Sequence, residues 1–327
     1  TVAIPITATK EQNGVASVSI LDQAITDVIA KAQDDAKKQG KTTKDITVAL
    51  NVTMPDGADS LTITLTRDSL SNFVNAGISM FEINGSPVKL AFDQKALEEI
   101  LKQSDEDISI AIAPSTNLSA SAKAIIGTRP AYDLTISYIK DGKYNTVSNF
   151  GDGKVSVSIP YTPARQEVAD GLYGVYVDEK GNATPILGSV YDAKSGCVIF
   201  ATTHFSIFGI GYTALRSDFI DIINHWAKES IDYVVNRGLL NGTTEKTFEP
   251  NTVMTRGMLV TALGRLANVN TKEYTTSSIK DVKANSTFSP YIEWAYEKGS
   301  VRDTGNGKFE PDRAITREEI AVIFADF

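Results

Sequence analysis

Cysteine and histidine are almost missing from this chain. A single cysteine, Cys197, excludes an intramolecular disulfide, and two histidines, His204 and His225, leave no plausible zinc constellation, so no metal site is expected. Clusters of lysine and arginine are also missing and the net charge is −8, which argues against a nucleic-acid partner. No apolar run approaches the ~20 residues of a membrane span. No signal peptide opens the sequence, so an exported protein would carry that segment outside these residues. There is no glycine-rich phosphate loop and no Gly-x-Ser-x-Gly, so neither a cofactor nor an enzyme is expected. What is present is ordinary globular material, 42% hydrophobic and 22% charged over 327 residues, enough for two to three domains.

The last third, residues 217 to 327, is one pattern written twice. Phe248-Glu249-Pro250 and Thr255-Arg256 return as Phe309-Glu310-Pro311 and Thr316-Arg317, each 61 residues later. The apolar positions keep the same shift, with Leu259, Ala262, Leu263 and Leu266 mapping onto Ile320, Ile323, Phe324 and Phe327. That spacing, i, i+3, i+4, i+7, is one face of a helix. A register shared by loop and core alike marks a duplicated structural unit.

Each unit reads as helix, loop, helix. In the first copy a helix from about Asn224 to Arg237 is expected to bury Trp226, Ile231, Val234 and Val235 and to stop at Gly238. Its counterparts in the second copy are Ile292, Trp294, Ala295, Tyr296 and Gly299. The second helix starts at Thr255 or Thr316. Thr316-Arg317-Glu318-Glu319 fits a capping box, whereas Met258 in place of the glutamate leaves half a box in the first copy.

The first copy thus carries Phe219-Ile220-Asp221, His225-Trp226-Ala227, Gly238, Phe248-x-Pro250 and Thr255-Arg256. The second carries Asp281, Gly299, Gly305 to Pro311 and Ile315-Thr316-Arg317-Glu318-Glu319. Together these resemble the S-layer homology (SLH) domain of bacterial surface proteins, over about a third of the chain. The resemblance implies helical repeats, usually three, about a pseudo-threefold axis. Their grooves hold a secondary cell-wall polysaccharide that often bears acidic pyruvyl groups. With two copies, the second ending after its second helix, a fragment of a longer protein is expected. The resemblance further implies a non-catalytic cell-envelope protein, extracellular, in the wall or S-layer of a Gram-positive bacterium, where a lone cysteine is unremarkable. The expected partner is the wall polysaccharide. An alternative is a lattice-forming S-layer protein that associates with itself.

Arg256 and Arg317 sit at the first turn of a helix, where free amides and the helix dipole favour an anion. A guanidinium there adds a planar fork matched to a carboxylate. By the resemblance, Asp221 and Asp281 contribute hydrogen bonds to the polymer. Trp226 and Trp294 either offer a flat face to a sugar ring or lie in the core. The expected polysaccharide-binding set is therefore Asp221, Trp226, Thr255, Arg256, Asp281, Trp294, Thr316 and Arg317. The alternative is that the arginines pair with acids such as Asp221 and Asp281 and only hold the repeat together.

Upstream, residues 1 to 125 mix the two periodicities. Leu21, Ala24, Ile25, Val28, Ile29, Ala32 and Ala36 make one helical face, closed by Gly40, and Asp93 caps a second helix. Strands are expected between them, as in Leu61, Ile63 and Leu65. This stretch resembles a module that often precedes SLH repeats. Residues 126 to 215 switch to short alternating runs, among them Pro185 to Tyr191, with Asp141-Gly142, Asp152-Gly153, Lys180-Gly181 and Ser195-Gly196 as turns. A small β-sandwich is the natural reading. The expected fold class is thus multidomain: an α+β module at 1–125, an all-β sandwich at 126–215, then all-α helical SLH repeats at 216–270 and, truncated, 278–327. A short linker, Thr213 to Asp218, joins the sandwich to the repeats.

Two further stretches invite a chemical reading. His204-Phe205-Ser206 resembles the self-cleavage site of certain β-sandwich domains, in which Ser206 would attack the preceding carbonyl with His204 as base. A bend between strands, with Phe205 buried, explains the same residues. Asp303 to Gly307 is reminiscent of a calcium loop, but Lys308 stands where a glycine is required, so a turn is expected.

Overall fold

A computed structural model describes residues 1–11, 14–42, 46–85, 87–214 and 218–327, in two compact units, Thr1–Tyr212 and Thr213–Phe327. The centre of the expected linker, residues 215–217, lies outside the described residues. The chain is a mixed helix-and-sheet protein.

The first unit begins with strands β1 (Val2–Thr7), β2 (Thr9–Lys10), β3 (Ala16–Ile20), β4 (Thr47–Thr53), β5 (Leu61–Leu65), β6 (Met80–Asn84), β7 (Lys89–Asp93) and β8 (Ile108–Pro114). Its helices are α1 (Asp22–Lys38), α2 (Arg67–Asn75), α3 (Gln94–Gln103) and α4 (Ala120–Ile126). Then follow β9 (Ala131–Lys140), β10 (Lys143–Thr146), β11 (Val155–Pro160), β12 (Leu172–Val177), β13 (Ala183–Pro185), β14 (Val190–Asp192), β15 (Cys197–Thr202) and β16 (Ile207–Tyr212). Alternation sets the faces: Leu61, Ile63 and Leu65 are buried while Thr62 and Thr64 between them are half-exposed.

The strands form two sheets, ordered β1-β4-β6-β7-β11-β15-β14 and β13-β12-β16-β9-β8-β5-β3-β2, with β10 on β9. One core joins them, and the Phe200 ring of β15 lies 5.3 Å from that of Phe208 on β16. Gly174 on β12 makes room for this contact, since a Cβ there would lie 2.6 Å from the Phe200 ring.

The border expected at residue 125 is therefore corrected. β11 pairs with β7, and β9 pairs with β8, so each sheet draws strands from both stretches. The α+β module and the β-sandwich are one two-sheet unit. Alternation tells which face of a strand is buried but not which strand lies beside it. The strand expected over Pro185 to Tyr191 also divides, with β13 on one sheet and β14 on the other. The turn between them is held by buried Ser189, whose hydroxyl accepts from the Gly174 N–H at 2.9 Å and donates to the Ile186 carbonyl at 2.5 Å. Helix α4 had no sequence signal. Ser119 caps it, and Ala122 and Ile126 cover Tyr173, Val175 and Val177, so β12 is buried on both faces.

The second unit contains α5 (Lys228–Asn236), α6 (Arg256–Leu266), α7 (Ser289–Glu297) and α8 (Arg317–Asp326), with 3-10 turns at Ile220–Ile222 and Thr271–Glu273. Its larger core belongs to both repeats: Leu259, Val260 and Leu263 of α6 pack with Ile279, Ile292, Ala295 and Phe309. The first repeat's second helix thus completes the second repeat. The equivalent face of α8 is only partly covered, with Ile323 buried but Phe324 and Phe327 about half exposed. Helix α5 starts at Lys228, later than expected, which leaves Trp226 ahead of it and 91% exposed instead of buried.

Candidate functional site

The two aspartates do the same local job. The Asp221 carboxylate accepts from the Phe248 N–H at 3.0 Å and the Glu249 N–H at 2.7 Å; Asp281 accepts from Phe309 and Glu310, both at 2.8 Å. Glu249 and Glu310 each have φ near +60°, at 57° and 59°, in the left-handed region and directly before a proline. The aspartates pin that strained step. Desolvation raises both carboxyls, but the backbone amides outweigh it and hold them below the usual range. Each carboxylate thus holds the backbone of its own repeat's loop.

Arg256 is buried, at 5% exposure. Its Nε donates to the Phe309 carbonyl at 3.0 Å, Nη1 to Glu319 at 2.7 Å and Nη2 to the Arg302 carbonyl at 3.3 Å, and the guanidinium lies over the Phe309 ring. The first-turn amides of α6 are occupied too. Arg256 N–H donates to the Arg313 carbonyl at 3.0 Å, Gly257 N–H to Pro311 at 2.8 Å, and Met258 N–H to the Thr255 hydroxyl at 3.2 Å. That helix start is a joint between the repeats, with these first-turn amides already paired. The partner is Glu319, neither Asp221 nor Asp281.

Arg317, the counterpart of Arg256, is exposed, and no partner for it is found among the described residues. Thr316 and Glu319 form the expected capping box, and Thr255 forms the expected half. Trp294 is half-buried against the core, with its ring 6.1 Å from that of Phe327. Under the 61-residue shift it stands at the place of Tyr233 and not of Trp226, so the two tryptophans are not equivalent. Trp226 projects beside His225, with ring centroids 5.7 Å apart.

Two clefts of this unit are one cleft, repeated. The larger, about 590 Å³, is lined by Ser300 to Thr304, Glu310, Arg313, Glu319, Val322 and Asp326, with Arg256 in its wall. The smaller, about 330 Å³, is lined by Leu239 to Thr243, Glu249, Thr252, Met258, Thr261 and Arg265. Each residue of the second set lies 61 positions before its counterpart in the first. Sequence reasoning missed both clefts. The signal was there in the chemical mismatch between otherwise aligned positions, Met258 against Glu319 and Arg265 against Asp326.

The S-layer homology domain family matches residues 218–257 and 278–321, the two halves of this unit. The C-terminal third is a pair of SLH repeats. The chain is similar to an amylopullulanase of Thermoanaerobacterium thermosulfurigenes, at 27% identity over 86% of this chain and 14% of that protein. It is also similar to an endo-1,4-beta-xylanase A of Thermoanaerobacterium saccharolyticum, 33% identical over 31% of this chain and 9% of that protein. The S-layer protein sap of Bacillus anthracis is 29% identical over 32% of this chain and 12% of its own length. The chain therefore spans about a seventh or less of these relatives. SLH repeats and S-layer relatives mark it as a cell-surface or cell-wall protein. No helix among the described residues is long and apolar enough to cross a membrane.

Outside the SLH repeats, His204 and Ser206 are not assembled as base and nucleophile for cleavage. The Ser206 hydroxyl donates to the Val177 carbonyl at 2.8 Å, and His204 Nε2 is buried without a hydrogen-bond partner among the described residues. His204 instead stacks edge-on against Tyr176 at 4.8 Å, and burial lowers its pKa. Phe205 joins Phe92 and Phe150 in the core. A base must reach its nucleophile, and here the hydroxyl is held elsewhere. In the second SLH repeat, the Asp303 carboxylate accepts from the Gly305 N–H at 2.8 Å, which is turn chemistry.

Proposed function

We propose that the SLH repeats tether this chain to an anionic secondary cell-wall polysaccharide, with the two-sheet unit of residues 1–212 as the module displayed. The family match over the two duplicated halves carries this reading. Support also comes from Trp226, a large ring almost wholly in solvent without a packing role, the kind of face on which a sugar ring stacks. Arg317 offers an exposed guanidinium on the same unit. Asp221, Asp281, Thr255, Thr316 and Arg256 then act by holding the repeats in shape. Retention on purified Gram-positive cell walls tests the tether: it should persist for the intact protein and vanish when the polysaccharide is chemically stripped. Retention on stripped walls would refute a polysaccharide partner.

The glycosidase names among the relatives belong to proteins of which this chain matches a small part. We assign catalysis in such proteins to segments outside these 327 residues. Incubation with pullulan and with xylan should release no reducing sugar, and release from either would overturn that assignment.

A further inference from the structure

The outward faces of the two sheets in the first unit differ in kind. On the sheet that contains β4, β6 and β7, the outward side chains are mixed. Glu82 is ion-paired with Lys89 there, beside Asn51 and Asn84. That is a common solvated face.

The other sheet carries hydroxyls in register. Ser19 of β3 pairs with Thr64 of β5, and Thr64 with Ser109 of β8. Ser109 pairs with Ser137 of β9, and Ser137 with Thr146 of β10. Their strand neighbours Ile20, Leu65, Ile108, Ile110 and Ile136 are buried, so alternation turns the hydroxyls outward. One row thus crosses five strands, with a hydroxyl at each step of about 4.8 Å. None of these five hydroxyls has a hydrogen-bond partner among the described residues. The adjoining row, Ser17, Thr62, Ala111 and Thr135, is uncharged as well.

Two observations point to a ligand on this face. Ser137, in the row between Ser109 and Thr146, is only 8% exposed, yet its hydroxyl is unpartnered among the described residues. A nearly buried hydroxyl is costly to leave unmet, and an arriving donor or acceptor relieves it. Beside it, Tyr144 and Ile139 form the next cross-strand pair on the same face, 67% and 65% exposed. An exposed tyrosine ring is a stacking surface. The chemistry narrows the partner. A polyanion calls for lysines and arginines, which both rows lack, and a protein calls for an apolar centre. Hydroxyls both donate and accept, as the rim of a neutral sugar does.

We propose that this face binds an extended, uncharged β-1,4-linked glycan laid across the strands. The chain follows the row from Ser19 to Thr146, with Tyr144 under a sugar at the β10 end. Only an extended chain keeps step with evenly spaced strands, so a coiling α-linked glucan does not fit. The site lies outside the SLH repeats and does not depend on the tether.

Calorimetric titration of the 327-residue protein with cellohexaose and with maltohexaose tests this. Cellohexaose should bind, and maltohexaose at least tenfold more weakly. Ser109→Lys lays a long charged side chain across the middle of the row and should weaken cellohexaose binding at least tenfold. Tyr144→Ala, which removes the exposed ring, should weaken it several-fold. Ser156→Lys, on the outward face of the other sheet, should bind like wild type. Thermal melts identify variants that keep the fold, and if Ser109→Lys melts early, Tyr144→Ala decides alone. No binding of cellohexaose by wild type would overturn the assignment. So would equal affinity for maltohexaose, or undiminished binding by either row variant that melts like wild type.

Discussion

Glu319 holds two arginines with one oxygen, Arg256 at 2.7 Å and Arg313 at 2.5 Å, while its other oxygen accepts the Thr316 amide at 3.0 Å. Hydrogen bonding from Arg313 leads the causes that lower its pKa from 4.5 to about 2, against the opposing pull of burial. Because the folded value is depressed, the stabilisation is present above pH 4.5 and is lost as pH falls toward 2. The shift bounds it at about 3 kcal/mol; with a quarter of the side chain exposed, screening leaves about 1–2 kcal/mol. Urea titrations at pH 7 and pH 3 should show the C-terminal unit losing roughly half of that more in wild type than in Glu319→Gln, the rest going only below pH 3, and equal losses would remove Glu319 as the acid-labile joint. Arg256→Ala should cost about 1–3 kcal/mol at pH 7, because it leaves the Phe309 carbonyl without its donor while Glu319 keeps Arg313. At this scale the sequence was half legible. Thr316 and Glu319 as a capping box could be read because that bond spans three residues. Arg256 with Glu319 could not, because their contact crosses between repeats and spacing along the chain says nothing about it.

Among elements, α6 shows how local rules are overridden by packing. Gly264 lies inside a helix, where alanine is ordinarily better by about 1 kcal/mol. Here a Cβ would lie 2.4 Å from the Tyr291 ring of α7. Gly264→Ala is therefore expected to destabilise the C-terminal unit by about 1–3 kcal/mol, as overpacking does. Chemical denaturation checks the sign, and a stabilised variant would mean that the α6–α7 contact can open freely. The positions equivalent to Gly257 and Gly264 on α8 are Glu318 and Ala325, so α8 is not built for the same close approach. Long amphipathic helices were readable upstream: Ile25, Val28, Ile29, Ala32 and Ala36 of α1 are all buried, and Asp93 caps α3 through the Ala96 N–H at 2.7 Å. The seven residues of α4 contain under two helical turns, too few to show a period. Trp226 misled because hydrophobicity alone suggested burial. It stands outside the periodic face, and the fold leaves it in water.

For the molecule as a whole, the duplication was visible because both copies had to satisfy the same contacts, down to the left-handed glutamates at 57° and 59° that no local pattern announced. The domain border near residue 125 was misplaced because composition changes there while sheet membership does not. β7 loses β11 and β8 loses β9 if the chain is cut at that point. The edges so exposed carry Leu90, Phe92, Ile108, Ile110 and Ile112, each at most 1% exposed in the intact unit. Unpaired apolar edges invite association with other chains instead of independent folding. Residues 1–125 alone are thus expected to lack a cooperative thermal transition and to bind a hydrophobic dye. Residues 1–212 should melt in one transition with fixed aromatic signals in near-ultraviolet circular dichroism. A sharp, dye-silent melt from 1–125 would restore two separate modules. It would also make the shared Phe200–Phe208 core a contact between domains, no longer the interior of one.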